Sequence, residues 1–387
     1  MSAIPYGRQH IIEDDILAVE DILRSDWLTQ GPTIEKFEKA VAEYCGAKYA
    51  VAVTSATAAL HIACLAVKLG PGDSLWTSPN TFVASANCGL YTGAKVDFVD
   101  IDPKSYNMSI DELEVKLSKV DQNGKLPKVV IPVHFSGQSC EMEQLAELSK
   151  RYGFHVIEDA SHALGGRYKN TKVGSNGYSD MTVFSFHPVK IITTGEGGMI
   201  TTNREDLYQK LIRLRSHGIT REPALMNEEP DGPWYYEQID LGYNYRMTDI
   251  QAALGKSQML RLDRFVERRN LLAQRYDEAL NDLPVVLPWQ SAEVYSSYHL
   301  YVIQLKLDEL VKSRKEIFAE LRRAGINVNV HYIPVHTQPY YQKLGFEKGD
   351  FPQAEKYYAG AITLPLYYGL SEEDQDYVIN KLKEVVR

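Results

Sequence analysis

Residues 129–159 read VVIPVHFSGQSCEMEQLAELSKRYGFHVIED. Val129–Val133 is an apolar run of the kind that forms a strand buried on both faces. Apolar residues between 142 and 152 then recur at helical spacing, and Phe154–Ile157 is a second apolar run. The stretch therefore predicts a strand, a helix and a parallel strand, and a right-handed crossover of this kind places both strand ends at one edge of a sheet.

The same alternation of strand and helix occurs earlier in the chain. Tyr49–Val53 is apolar, the hydroxyl-rich turn Ser55-Ala56-Thr57 follows, and apolar residues continue at helical spacing to Leu69. The pattern predicts an α/β fold in which a mixed, mostly parallel sheet lies between helices. Ligands of such open sheets bind at the carboxyl ends of the strands.

The pattern changes after Thr248, where a long, mostly helical stretch begins. We predict two domains, a large one at residues 1–248 and a smaller C-terminal α/β domain at residues 249–387. In the smaller domain we expect strands at Tyr298–Leu305 and Ile326–Tyr332, with a helix at Glu309–Arg323 between them. Three prolines and a glycine in Glu222–Trp234 predict a loop between the halves, either mobile or covering a site.

Composition and charge narrow the class of ligand. The 387 residues include 51 acidic and 42 basic side chains, which give a net charge of −9. This balance argues against nucleic acid or an anionic lipid surface as the main partner and favours a small polar ligand. The longest apolar stretch, near Ala56–Val67, is too short to span a membrane.

The N-terminus and the cysteines give further expectations. Met1–Asp15 lacks the basic and apolar segments of a signal peptide, so a cytoplasmic location is expected. The four cysteines are far apart and have no paired spacing, which predicts core residues rather than a zinc site or a disulfide framework. We therefore expect no metal.

The segment with the most chemical information is Thr182–Gly198, TVFSFHPVKIITTGEGG, in which a strand leads into a glycine-rich turn that carries Lys190. An amine that is partly desolvated at a strand end has a lowered pKa and can form a Schiff base with an aldehyde. The alternative is a surface lysine in a turn.

A carboxylate and a histidine follow the Phe154–Ile157 strand. Asp159 beside a pyridine nitrogen would keep that nitrogen protonated, so that the ring withdraws electrons. His162 is three residues further on. The alternatives are a helix N-cap or an ion-pair partner for Asp159 and an interior histidine for His162.

Phosphate donors and an aromatic ring complete the candidate set. Ser55-Ala56-Thr57 offers amides and hydroxyls at the start of a predicted helix, where an anion is favoured, and Ser185 adds a hydroxyl. The alternative for Ser55 and Thr57 is simple helix capping. Phe82 is either a ring that stacks on an aromatic cofactor or a core residue.

Together these residues resemble the DegT/DnrJ/EryC1/StrS family of sugar-nucleotide aminotransferases, within fold type I of the pyridoxal-phosphate enzymes. The resemblance covers nearly the whole chain. It depends on LTQGP at 28–32, SAT at 55–57, TF at 81–82, EDASH at 158–162, FSFH at 184–187 with Lys190, EGG at 196–198, RSHG at 215–218 and GYNYR at 242–246.

The resemblance implies a role for each matching residue. Lys190 would hold pyridoxal 5′-phosphate as a Schiff base, Asp159 would contact the pyridinium, Phe82 would stack on the ring and His162 would lie close to it. The implied phosphate-binding residues are Ala56, Thr57 and Ser185, with Asn244 from the neighbouring subunit of a homodimer. The implied residues of the sugar-nucleotide pocket are Tyr6, Asp26, Trp27, Leu28, Thr29, Asn329, Val330, His331 and Tyr332.

Within the family, residues 187–198 are most similar to the C4-aminotransferases of pseudaminic acid biosynthesis. The resemblance implies L-glutamate as amino donor, 2-oxoglutarate as its product and a UDP-linked 2-acetamido-2,6-dideoxy-4-hexulose as acceptor. Lys190 would act as the base and acid that moves the proton in both half-reactions. Some relatives that dehydrate sugars carry histidine at that position, so lysine favours transamination.

Three alternatives stay open from the sequence. One is a C4-aminotransferase for another UDP-, dTDP- or GDP-linked 4-keto sugar. The second is a catalytically silent protein that senses the cofactor or a nucleotide sugar, which the presence of Lys190 and Asp159 disfavours. The third is a nicotinamide oxidoreductase, but the glycines at 195–198 lack the G-x-G-x-x-G spacing of a dinucleotide site.

Overall fold

The computed structural model describes residues 3–386, apart from the side chains of residues 121–123. Within that range the strands are β1 Ile4–Pro5, β2 Tyr49–Val53, β3 Ser74–Thr77, β4 Lys95–Phe98, β5 Val129–Ile131, β6 His155–Asp159, β7 Arg167–Tyr168, β8 Thr171–Lys172, β9 Met181–Ser185, β10 Gly198–Thr202, β11 Ile219–Thr220, β12 Glu237–Gln238, β13 Val285–Val286, β14 Val294–Tyr295, β15 Tyr301–Leu305, β16 Ile326–Asn327 and β17 Ala361–Leu364.

The α-helices in the same range are α1 Glu13–Leu23, α2 Pro32–Cys45, α3 Ala56–Ala66, α4 Ala84–Tyr91, α5 Ile110–Asn123, α6 Met142–Tyr152, α7 Glu205–Arg215, α8 Asp249–Met259, α9 Leu262–Leu280, α10 Arg314–Arg323, α11 Pro339–Gln342, α12 Pro352–Gly360 and α13 Glu372–Val386. Short 3-10 helices are formed by Phe135–Gly137, Pro223–Leu225 and Val335–Thr337.

A seven-stranded sheet forms the centre of the molecule, in the order β2-β10-β9-β6-β5-β3-β4. Neighbouring strands from β9 to β4 are parallel, whereas β10 is antiparallel to both β9 and β2. Alternate side chains point to opposite faces, so Ile157 packs with α3, α4 and α7 and Val156 packs with α5 and α6. The predicted mixed, mostly parallel sheet between helices is confirmed.

The crossover at residues 129–159 forms as expected. Met142, Leu145 and Leu148 are buried on one face of α6, and the helix ends at Gly153, whose φ of 77° is left-handed. Glycine adopts that conformation without a steric penalty, and its N–H donates to the Ser149 carbonyl at 2.8 Å. The chain can therefore turn directly into β6, which is paired in parallel with β5.

The second half of the chain has its own core. The antiparallel strands β13, β15 and β17 pack against α10, α13 and the C-terminal part of α9. The predicted helix at 309–323 begins only at Arg314, because Ser313 caps it through the amide of Glu316. Helix α8 packs against α1 and α2. The domain boundary at residue 248 stays a prediction.

The predicted strand at 326–332 is shorter than expected. Only Ile326 and Asn327 form a strand, β16, which pairs in parallel with the N-terminal β1. Asn329 exchanges backbone hydrogen bonds with Thr363 instead. This contact turns residues 329–332 away from the strand direction and towards the sheet edge described below.

The predicted loop at 222–234 contains the short 3-10 helix Pro223–Leu225 and is flanked by the antiparallel pair β11 and β12. Trp234 in this loop is exposed. All four cysteines are buried and free, as expected for core residues. Across residues 3–386, no helix combines the length and the apolar character needed to cross a membrane.

Candidate active site

A cavity of about 510 Å³ opens at the edge of the large sheet where β6 and β9 end and α3 begins. Both halves of the chain line it, since residues 329–332 close one side. The site residues predicted from the sequence that line it are Tyr6, Ala56, Thr57, Phe82, Asp159, His162, Ser185, Lys190, Asn329, Val330, His331 and Tyr332. The predicted residues therefore lie together at the carboxyl ends of the parallel strands, the edge where ligands of such sheets bind.

Lys190 lies in the turn between β9 and β10, where its amide donates to the His187 carbonyl at 2.9 Å. The side chain is half-buried and faces the cavity. Burial lowers the pKa of Lys190 to about 8, although the charge of Asp159 opposes this shift. The neutral form of this amine is thus far more populated near neutral pH than that of an exposed lysine, which suits it to attack an aldehyde.

Asp159 is the last residue of β6 and is buried. Its Oδ2 accepts a 2.6 Å hydrogen bond from the Ser85 hydroxyl, and its Oδ1 accepts the amide of Ser161 at 3.1 Å. The Ser85 hydroxyl lies 2.7 Å from that of Thr81. The carboxylate is therefore held from two sides and has a lone pair left for a protonated ring nitrogen in the cavity.

His162 is held in one orientation by two contacts. Its Nδ1 accepts the amide N–H of Ser136 at 3.3 Å, and its Nε2 lies 3.0 Å from the Tyr332 hydroxyl. Burial and the charge of Lys190 lower the pKa of His162 well below its usual value, so the ring is neutral. Because Nδ1 accepts, the single ring proton is on Nε2 and is donated to Tyr332.

An anion site forms where α3 meets β10. Ser55 caps α3 by accepting the Ala58 amide at 3.1 Å, and the amides of Ala56 and Thr57 in the first turn have no partner within the helix. Gly198 allows β10 to approach the start of α3 closely, because a Cβ there would lie 2.6 Å from the Ser55 carbonyl and 2.7 Å from the Ala56 nitrogen. Ser185, paired with Gly198 across the sheet, lines the same side of the cavity.

Phe82 is not a core residue. Its side chain is 59% exposed and lines the cavity, with its ring centroid 6.3 Å from that of Tyr332. An exposed phenyl ring beside an amine, a carboxylate and a helix N-terminus is suited to cover a planar ligand. These groups together fit a phosphate-bearing aromatic aldehyde with a basic ring nitrogen.

One predicted residue, Asn244, and one predicted segment, 26–29, have a different environment. Asn244 is exposed and pairs with Ser216, and the segment 26–29 is exposed and connects through Thr29 to Thr248. Within the described residues, neither Asn244 nor segment 26–29 lines the cavity of its own chain. Their roles stay predictions.

Sequence reasoning missed Ser85 and His299. The only available signal for Ser85 was its spacing of four residues from Thr81, since this spacing brings two side chains together in a helical turn. His299 lies 3.5 Å from the Lys190 amine through its Nε2. It precedes β15 in a segment with no motif, so nothing in the sequence connects it to Lys190.

Comparison with known proteins connects this geometry to an activity. The model of the DegT/DnrJ/EryC1/StrS aminotransferase family matches residues 9–383. The spore coat polysaccharide biosynthesis protein SpsC of Bacillus subtilis is 41% identical over 99% of this chain and 97% of its own. The UDP-4-amino-4,6-dideoxy-N-acetyl-beta-L-altrosamine transaminase of Campylobacter jejuni is 37% identical, also over 99% and 97% of the two chains.

Solved structures agree over the whole chain. PseC of Helicobacter pylori, an aminotransferase involved in the biosynthesis of pseudoaminic acid, superposes with a TM-score of 0.91 at 31% identity, covering 100% of this chain and 99% of that one. The Streptococcus pneumoniae protein Spr1654 in its PLP form gives a TM-score of 0.89 at 32% identity, covering 99% and 98%.

Proposed function

This chain belongs to the DegT/DnrJ/EryC1/StrS aminotransferase family, and we propose that it transfers an amino group from L-glutamate to C4 of UDP-2-acetamido-2,6-dideoxy-β-L-arabino-4-hexulose. The cofactor is pyridoxal phosphate. The products would be 2-oxoglutarate and UDP-4-amino-4,6-dideoxy-N-acetyl-β-L-altrosamine, a precursor for pseudaminic acid. The similarity to the Campylobacter jejuni transaminase and to Helicobacter pylori PseC supports this choice of sugar.

One observation carries the proposal of an aminotransferase site. The amine of Lys190, the carboxylate of Asp159 and the N-terminus of α3 all face one cavity of about 510 Å³. An amine with a pKa of about 8 is reactive towards a carbonyl near neutral pH. A buried carboxylate and free helix amides are the partners that a pyridinium and a phosphate need.

When bound, the cofactor supplies a sink for the electron pair that remains after a proton leaves the carbon next to the transferred nitrogen. In the first half-reaction Lys190 would act as the base that removes the proton from Cα of glutamate. In the second half-reaction Lys190 would act as the acid that delivers a proton to C4 of the sugar. One amine in one position therefore serves both halves.

Asp159 would hold the proton on the ring nitrogen, and the hydrogen bonds from Ser85 and Ser161 fix the orientation of its carboxylate. The amides of Ala56 and Thr57 would bind the phosphate. Phe82 would cover the ring and exclude water from it.

The sugar nucleotide would bind beside Tyr6 and residues 329–332, which also line the cavity. We propose a homodimer in which the partner subunit's Asn244 reaches the phosphate, since Asn244 is exposed on its own chain. The segment 26–29 would contact the sugar nucleotide from the edge of the cavity. A cytoplasmic location stays a prediction.

A second candidate is another nucleotide-linked 4-keto sugar. The similarity to SpsC, a spore coat polysaccharide biosynthesis protein, favours it, because its 41% identity exceeds the 37% shared with the altrosamine transaminase. The chemistry at Lys190 and Asp159 would be the same, and only residues on the sugar side would differ in their contacts.

The test is to incubate the purified enzyme with ¹⁵N-glutamate and UDP-, dTDP- or GDP-linked 4-keto sugars. NMR of the products would show ¹⁵N at C4 of the UDP-linked altrosamine and would report its stereochemistry. The Lys190→Ala variant, which has no reactive amine, should give no product and no absorbance band from a covalent bond between the protein and the cofactor. Label at C4 of a dTDP- or GDP-linked sugar alone would contradict the UDP sugar, and product from Lys190→Ala would contradict the role of the amine.

A further inference from the structure

His299 is in contact with the Lys190 amine, and no role follows for it from the sequence. Its Nε2 lies 3.5 Å from Lys190 Nζ, at the outer limit of a hydrogen bond. Among residues 3–386, this is the only hydrogen-bond partner that the structure gives that amine. The ring is buried, and its Nδ1 has no partner.

The surroundings of His299 keep it neutral. Burial and the positive charges of Lys190 and Arg269, with the neighbouring His162 and His331, lower the pKa of His299 well below its usual value. The His162 ring is tilted against it at a centroid distance of 4.4 Å. A proton on His299 would therefore add a cation to a site that already holds two.

The backbone at His299 is fixed by a buried cation. Arg269 on α9 donates from one guanidinium nitrogen to the carbonyls of Tyr298, His299 and Leu366, at 3.2, 3.2 and 2.8 Å. This arrangement anchors the start of the segment that leads into β15. The position of the imidazole relative to Lys190 is thus set by the second half of the chain, independently of the turn that carries Lys190.

The two neighbouring histidines differ in what their ring protons can do. In His162 the tautomer is fixed, because Nδ1 accepts from Ser136 and Nε2 donates to Tyr332. In His299 nothing binds Nδ1, so the proton is free to occupy either nitrogen. An ammonium group can only donate, and it is accommodated when the His299 proton is on Nδ1 and Nε2 accepts.

We propose that His299 is a positioning residue for Lys190: its Nε2 accepts a hydrogen bond from the amine whenever that amine is not bonded to the cofactor. This contact would stabilise the ammonium form and, after deprotonation, hold one N–H aside so that the lone pair faces the cavity. No proton is transferred to His299. The inference depends on the proposed function only in requiring that Lys190 bonds pyridoxal phosphate.

The test measures how fast the cofactor-free, full-length protein bonds pyridoxal phosphate as a function of pH, followed by visible absorbance. Only the neutral amine attacks the aldehyde, so the rate should rise with pH around a midpoint near the Lys190 pKa of about 8. The matched variants are His299→Gln, which keeps an acceptor at a similar reach, and His299→Met, which has a similar volume but no comparable acceptor. The titrations of pyridoxal phosphate itself are the same in all three proteins.

Loss of the acceptor destabilises the ammonium form, so the midpoint in His299→Met should fall by about one pH unit, a tenfold change in the ammonium-to-amine ratio. His299→Gln should stay near the wild-type midpoint. A change in packing alone would alter the affinity or the melting temperature of both variants without separating their midpoints. Equal midpoints in Met and Gln variants, whether shifted or not, would overturn the inference.

The readout involves neither glutamate nor a sugar. A wrong assignment of the sugar substrate would leave the difference between the two variants intact. A wild-type protein that forms no bond to pyridoxal phosphate at any pH would overturn this inference together with the proposed function. Lys190→Ala gives the baseline, since it lacks the amine whose bond formation is measured.

Discussion

The Ser85 hydroxyl donates a 2.6 Å hydrogen bond to Oδ2 of Asp159, across 74 positions of sequence. Thr81 is 2.7 Å from the same hydroxyl, so a short chain of hydroxyls leads to the carboxylate from the start of α4. Both hydroxyl groups are buried. Asp159 is therefore oriented by the protein before any ligand enters the cavity, as a site that binds a ring nitrogen in one position requires.

Replacing Ser85 with Ala should lower kcat without unfolding the protein. The change removes a hydrogen bond to a charged acceptor, an interaction of about 1.5–3 kcal/mol. If most of this free energy stabilises the transition state, kcat for glutamate-dependent amination falls by about 10- to 100-fold. The visible absorbance of the bound cofactor should also shift, because Asp159 would no longer be held against the ring nitrogen.

The control for this variant is Ser118→Ala, which removes an exposed hydroxyl that bonds only to the Val115 carbonyl of its own helix. It should leave kcat and absorbance unchanged. Wild-type kcat in Ser85→Ala would mean that the Ser161 amide alone orients Asp159.

Replacing Gly198 with Ala should weaken cofactor binding. A methyl group at this position would lie 2.6 Å from the Ser55 carbonyl carbon and oxygen, and both are backbone atoms that have little room to move. Overpacking of this kind costs about 1–3 kcal/mol, and here it displaces the N-terminus of α3 that carries the free amides. We expect the Kd for pyridoxal phosphate, measured by fluorescence or equilibrium dialysis, to rise about tenfold or more.

Gly177→Ala is the matched change, since the only atom within 4 Å of its added methyl group is the Ser175 hydroxyl, at 4.0 Å. Its Kd should equal that of the wild type. Equal weakening in both variants would mean that loss of chain flexibility, rather than the approach of β10 to α3, accounts for the effect.

The buried histidines predict that acid destabilises the fold. Burial, with the charge of Lys190, lowers the pKa of His331 to about 3, and His162 and His299 are shifted in the same direction. The unfolded chain binds protons on these residues below their usual pKa of about 6.5, whereas the folded chain does not. The free energy of unfolding therefore falls as pH decreases from about 6.5 towards 3, by up to about 1.4 kcal/mol per pH unit for each histidine.

Urea unfolding between pH 7 and pH 5 measures this slope. His331→Asn removes one titrating group while keeping a polar atom near the Thr363 hydroxyl, which lies 2.8 Å from His331 Nδ1. Its stability should depend less steeply on pH, even if its stability at pH 7 is lower. A slope equal to that of the wild type would show that His331 titrates alike in the folded and unfolded chains.

The sequence predicted the location of a site residue where that residue is next to a recognisable strand or helix. Asp159 lies at the end of one apolar strand and Lys190 in the turn after another. Because parallel strands end at the same edge of a sheet, the sequence predicts that these two residues lie at one edge. The N-terminus of α3 was predictable for the same reason. Their closeness follows from topology, which hydrophobic periodicity reports well.

Contacts between distant segments were not predictable in this way. The partner of Lys190, His299, is 109 residues away and lies in the second half of the chain. The residues at 326–332 look like a continuous strand, but the backbone bonds between Asn329 and Thr363 redirect the chain. For Phe82 the sequence left core packing and ring stacking equally open, and only the packing of both halves leaves its side chain 59% exposed in the cavity.

Tyr332→Phe should impair the sugar half-reaction more than the glutamate half-reaction. His162 donates to the Tyr332 oxygen, so the phenolic proton points elsewhere and is free to bind a ligand. Burial raises the pKa of Tyr332 above its usual value, so the hydroxyl stays protonated over the working range. Loss of this donor costs about 1–3 kcal/mol of binding free energy. Converted to affinity, this free energy predicts a rise of about 5- to 100-fold in KM for the sugar nucleotide.

Single-turnover kinetics of each half-reaction separate this role from an effect on His162. The phenyl ring keeps the packing of Tyr332 against Phe82, so a change in the sugar step alone reports the hydroxyl. The control, Tyr340→Phe, removes a hydroxyl from a tyrosine that is 61% exposed and does not line the cavity. Equal slowing of both half-reactions by Tyr332→Phe would contradict a role in sugar binding. The hydroxyl would then act through His162 near the cofactor, which takes part in both steps.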